Sequence, residues 1–130
     1  PFRSARKFEC STLPWEHLIS LQKVLEDIFI PYGMEAISHE VFRLQDLFIQ
    51  NIDQTVIRPI LFPSSNRSGI LSVQIDSNPT TTISKLRKQN ILLTSQGGYL
   101  RIAPHFYIED SEMIYAAKAL SDVVKASIDD

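Results

Sequence analysis

The sequence predicts an α+β fold: a small, mostly antiparallel sheet covered on one face by helices, preceded by two long helices. Three observations predict it. Apolar residues recur at helical spacing from Trp15 to Ile52 and again after Asp110. Between those stretches the pattern changes to short alternating runs bounded by turn residues. The resulting order, helix, helix, strand, strand, helix, strand, strand, helix, is that of a layered sandwich.

The elements follow from local chemistry. Thr12 and Pro14 mark a helix start, with a hydroxyl near the N-cap and a proline in the first turn. Leu18, Leu21, Val24, Leu25, Ile28 and Phe29 make its apolar stripe, and Pro31 and Gly33 are expected to end it. A second helix begins near Glu35, with Ile37, Val41, Leu44, Leu47, Phe48 and Ile52 on one face. "TVIRPILFP" reads as extended, with Pro59 at an edge or a break. "SSNRSG" is a turn cluster, and "ILSVQI" alternates as a half-buried strand. "SNPTTTISKLRKQN" reads as a short helix that Asn78 or a nearby threonine could cap and Asn90 could end. "ILLT" is expected to be a strand, "SQGG" a turn and "YLRIA" the last strand. The final helix is expected to be N-capped at Asp110 or Ser111, with Met113, Ile114, Ala117, Leu120, Val123, Val124 and Ile128 facing inward. Three regions result: an arm over 1–14, two linking helices over 15–53, and a small α+β domain over 54–130.

Composition narrows the function classes. The chain has 130 residues, 44% of them hydrophobic, enough for a real core. The net charge of −2 argues against a nucleic-acid or anionic-membrane binder driven by bulk charge. The one basic cluster, Arg3, Arg6 and Lys7, reads as a solvated arm. The single cysteine, Cys10, allows no internal disulfide framework and fits a reducing, cytoplasmic setting. No apolar run approaches the roughly 20 residues of a membrane span. The opening on Pro1 is read as the mark of a piece of a longer protein.

The residue that asks for an explanation is Arg101, between Leu100 and Ile102. Strand alternation sends those two neighbours to the helices and Arg101 to the opposite face, beside Tyr99 and across from Ser72 and Gln74. There it either lies in water or pairs with a surface carboxylate, or its planar fork receives a carboxylate ligand through two parallel hydrogen bonds. His17, His39 and His105 are too widely spaced for a metal set, and no Gly-x-Ser-x-Gly nucleophile elbow is present.

"LRIAPHFYIEDSEMIYAAKAL" resembles the C-terminal end of the class-V aminotransferase family, the fold-type-I pyridoxal-phosphate enzymes that include cysteine desulfurases, selenocysteine lyases, kynureninase and isopenicillin-N epimerase. "RKFECSTLP" is similar to that family's Arg-Phe-Glu-x-Gly-Thr-Pro segment, "NRSGILSVQI" to its Arg-x-Gly-Ile strand, and "LRKQNILLT" to its helix-to-strand step. The resemblance runs along essentially the whole chain in the family's order. It implies a substrate-binding role for Arg101, which would hold the α-carboxylate of a small amino acid. His105 follows the arginine strand closely enough in sequence to line the same cleft, the alternative being a structural or solvated histidine. The resemblance also implies that Thr12 touches the phosphate of pyridoxal 5'-phosphate across a homodimer. The cofactor itself would sit on a separate large domain of the same protein.

The departures matter too. Ser11 replaces the family's glycine, and Ile108 stands where an asparagine is common. "TSQGGYLR" has a short turn and no cysteine where desulfurases carry a nucleophile loop, which favours an aminotransferase- or epimerase-like enzyme. Lys7, Lys23, Lys85, Lys88, Lys118 and Lys125 do not lie in anything resembling the Schiff-base segment. The chain alone is therefore expected to be inactive, with no catalytic residue or metal of its own. The alternatives are a non-catalytic dimerisation or carboxylate-binding module and a bare structural fragment.

Overall fold

A computed structural model describes residues 14–128. The chain divides into two compact units, Pro1–Met34 and Glu35–Asp130. The second long helix contributes Leu44 and Phe48 to the core under the sheet, and Ile52 joins them just after its end.

In the first unit, α1 spans Trp15–Val24 and starts directly after Pro14. A π-helical turn, Leu25–Phe29, follows, and α2, Ile30–Tyr32, completes the rod. Pro31 does not end the helix as expected. A proline has no N–H, and its ring crowds the carbonyl four residues back. The widened turn, with Ile30 N–H donating to Leu25 O, opens the coil just ahead of Pro31. The stop comes at Gly33, whose φ of 78° is unfavourable for a residue with a side chain.

In the second unit, which takes all of α3 (Met34–Asn51) but its first residue, that helix leads to the edge strand β1 (Ile57–Ile60). Then come β2 (Leu71–Ile75), α4 (Pro79–Arg87), β3 (Thr94–Gln96), β4 (Tyr99–Ile102) and α5 (Asp110–Lys125). The sheet has four strands in the order β1-β2-β4-β3, with every neighbouring pair antiparallel. This is the α+β architecture the periodicity predicts. Pro59 is tolerated because β1 is an edge.

Alternation decides the two faces of the sheet. Ile57, Leu71, Val73, Ile75, Leu100 and Ile102 are buried and meet Leu44, Phe48, Leu86, Met113, Leu120 and Val124 from the helices. Asn78 caps α4, its Oδ1 accepting from Thr80 N–H at 3.0 Å and Thr81 N–H at 3.1 Å. Asn90, at φ 61°, reverses the chain behind it, and Ile91 N–H returns to Leu86 O at 3.1 Å.

Two expectations shift. The strand expected over Ile91–Thr94 pairs only from Thr94 onward. The β3–β4 register ends at Thr94 opposite Arg101, although Ile102 of β4 still pairs with Leu71 of β2. The last helix is capped one residue early, at Glu109, whose N–H donates to Glu112 Oε2 at 3.0 Å.

Ion pairs tie the elements at the surface. Arg43 of α3 bridges Glu40 and Asp110, joining α3 to the start of α5. Lys125 of α5 pairs with Asp53, and Asp53 N–H donates to the buried Ser121 Oγ at 2.9 Å. Arg67 folds back on α3, bonding Asp46 and Phe42 O, with its guanidinium 4.7 Å from the Phe42 ring centre.

Candidate anion site on the open face of the sheet

Cross-strand partners share a face, so the register builds the site. Arg101 of β4 lies opposite Ser72 of β2 on one side and Thr94 of β3 on the other. Arg58 lies opposite Gln74, and Gln96 opposite Tyr99. The face away from the helices therefore carries two arginines, two hydroxyls, two carboxamides and Tyr99, with Ile60 as its apolar member.

The two arginines differ. Arg58 is bound bidentately by Asp76, first through hydrogen bonds that hold the Asp76 carboxyl below the usual carboxylate range and raise the guanidinium. Arg101 is half-buried, and its partner among the described residues is neutral: Nη1 donates to Gln96 Oε1 at 3.2 Å. Arg43, Arg58 and Arg67 each hold a carboxylate, whereas Arg101 on the sheet and the exposed Arg87 at the end of α4 have no ion pair among the described residues. The charge of Arg101 is retained, and its neighbours are hydroxyls and an amide rather than acids. That arrangement can accept an anion whose two oxygens meet the guanidinium fork.

The β3–β4 hairpin sets this geometry. Gly97 and Gly98 take φ of 59° and 86°, forming a two-residue turn that places Gln96 beside Tyr99 and Thr94 beside Arg101. A longer turn would shift the register and send Gln96 or Thr94 to the other face.

His105 does not join Arg101. It lines a separate cleft of about 570 Å³ with Ile91, Leu92, Ile102, Tyr107 and Met113, and Arg101 is not among the lining residues. Ile102 and Met113 belong to the core side, so this cleft opens at the sheet's end toward the helices. The ring stacks on Tyr107 at 4.2 Å and tilts against Phe106 at 4.6 Å. Thr12 and Cys10 lie outside the described residues. Gln96, which the sequence reading left in a turn, is the addition. The signal was there: a Gly-Gly pair joining two extended runs is a two-residue hairpin, which pairs the flanking glutamine and tyrosine.

Neither a family model nor a curated protein matches the chain. Among solved structures, the adenosylmethionine-8-amino-7-oxononanoate aminotransferase from Methanocaldococcus jannaschii DSM 2661 aligns with 86% of the chain at 15% identity and a TM-score of 0.46. The chain covers 26% of that protein. So loose a superposition decides neither family nor activity.

Proposed function

We propose that the chain is the small domain of a pyridoxal-phosphate-dependent enzyme of the class-V aminotransferase kind, in which Arg101 receives the α-carboxylate of a small amino acid. The observation that carries this is the half-buried Arg101, unpaired with acid among the described residues and presented between Ser72 and Thr94 on the uncovered side of the sheet. The ordered set of motifs quoted above supports the same reading.

The described residues do not by themselves fit the cofactor. Pyridoxal phosphate needs a lysine free to condense with it, a phosphate cradle and a stacking group. Lys23 is paired with Asp27, Lys125 with Asp53, and Lys85 donates to Ser127 Oγ. Lys88 and Lys118, without a side-chain partner among the described residues, lie at the end of α4 and on α5 rather than on the sheet. None of the strand residues on the open face is a lysine. In this proposal a large domain outside the chain holds the cofactor, and the protein acts as a homodimer. What this chain does is orient the substrate: the fork binds the carboxylate oxygens and so fixes the position of the adjoining carbon.

The test uses the full-length protein. It should show the visible absorbance of bound pyridoxal phosphate, and Arg101→Ala should keep that absorbance while weakening the amino acid's binding. A full-length protein without that absorbance, or Arg101→Ala with unchanged amino-acid affinity, overturns the proposal.

A further inference from the structure

Arginine has donors only, so the group facing Arg101 Nη1 must be the Gln96 carbonyl oxygen. The contact, 3.2 Å from Nη1 to Oε1, therefore also orients the rest of the carboxamide. The Gln96 Nε2–H2 has no acceptor among the described residues. Gln96 sits in the edge strand β3 on the same face as Arg101, next to Tyr99 across the hairpin.

We propose that Gln96 is the positioning residue of the carboxylate site: its Oε1 holds the Arg101 fork in place without spending its charge, and its Nε2–H2 adds a donor for the same anion. This deepens the reading of Arg101 above and rests on it. The choice of residue type matters. A glutamate at position 96 would hold the guanidinium as firmly but would compensate its charge. An apolar residue would leave the charge but let the long side chain wander. Only a neutral acceptor orients the arginine and leaves its charge uncompensated. The other ionisable groups on this face are Arg58, already satisfied by Asp76, and Tyr99.

The experiment uses the 130-residue chain and trifluoroacetate, a carboxylate that stays ionised in mild acid, with chloride holding ionic strength constant. Binding is read from the Arg101 Nε–H resonance by NMR at pH 6 and pH 3.5, each variant against the native chain at the same pH. The native chain should show a saturable shift at Arg101. Gln96→Glu should weaken the association at pH 6 by roughly twofold to fivefold, the scale of an exposed ion pair, and recover part of it at pH 3.5 as the introduced carboxyl begins to protonate. Gln96→Met should weaken it about equally at both pH values. If Gln96→Glu and Gln96→Met both bind like the native chain, the role of Gln96 is overturned while the anion site stands. If the native chain shows no saturable shift at Arg101, the anion site falls, and Gln96 with it.

Discussion

Leu100 and Arg101 are consecutive residues of β4, yet they should behave oppositely when truncated. Leu100 is 0% exposed and belongs to the cluster shared with Phe48, Leu120 and Val124. Leu100→Ala removes buried methyl groups and leaves a cavity, a change that costs about 2–5 kcal/mol. Arg101 makes one hydrogen bond, to an exposed carboxamide, and no ion pair among the described residues. Its truncation should cost about 1 kcal/mol or less. Urea unfolding of both variants, followed by circular dichroism, gives the comparison, with equal slopes required so that midpoints report stability. An Arg101→Ala chain as destabilised as Leu100→Ala would show that the guanidinium serves the fold, and the case for a ligand there would collapse.

Two further outcomes follow from the same geometry. Asn78→Ala removes the acceptor for Thr80 and Thr81 N–H and should destabilise the chain by about 1 kcal/mol, with Asn78→Ser restoring most of the loss. Acid should destabilise the chain through Glu40, Asp53, Asp76 and Asp110, whose hydrogen bonds to Arg43, Lys125, Arg58 and Arg43 respectively hold them below their ordinary values of 4.5 for Glu and 3.8 for Asp. A carboxyl lowered in the folded state lends its stabilisation in full above its unfolded pKa and loses it as pH falls through the folded one. Unfolding free energy should therefore hold steady above about pH 5 and fall progressively below about pH 4, and a flat profile between pH 5 and pH 2 would contradict those pairings.

Much of the fold was legible in the residues. The strand faces followed from alternation in "ILSVQI" and "YLRIA", because burial on one side leaves a period of two. Arg101's side of the sheet followed from the same rule. What was not legible depends on tertiary neighbours. Ile91–Leu93 has strand composition but stays unpaired, the β3–β4 register ending at Thr94 opposite Arg101. Pro31 reads as a terminator, yet a widened turn accommodates it. His105 is four residues from Arg101 in sequence, but the chain leaves the sheet between them and takes the ring to the helix side.

The most direct measurement concerns charge recognition rather than stability. In the full-length protein, the affinity for a small amino acid is compared with that for its carboxamide, in native and Arg101→Ala forms. The native protein should prefer the acid by roughly 10-fold or more, since charged hydrogen bonds of about 1.5–3 kcal/mol depend on the carboxylate. Arg101→Ala should erase that preference. A preference that survives the loss of Arg101 would mean that the carboxylate is read elsewhere.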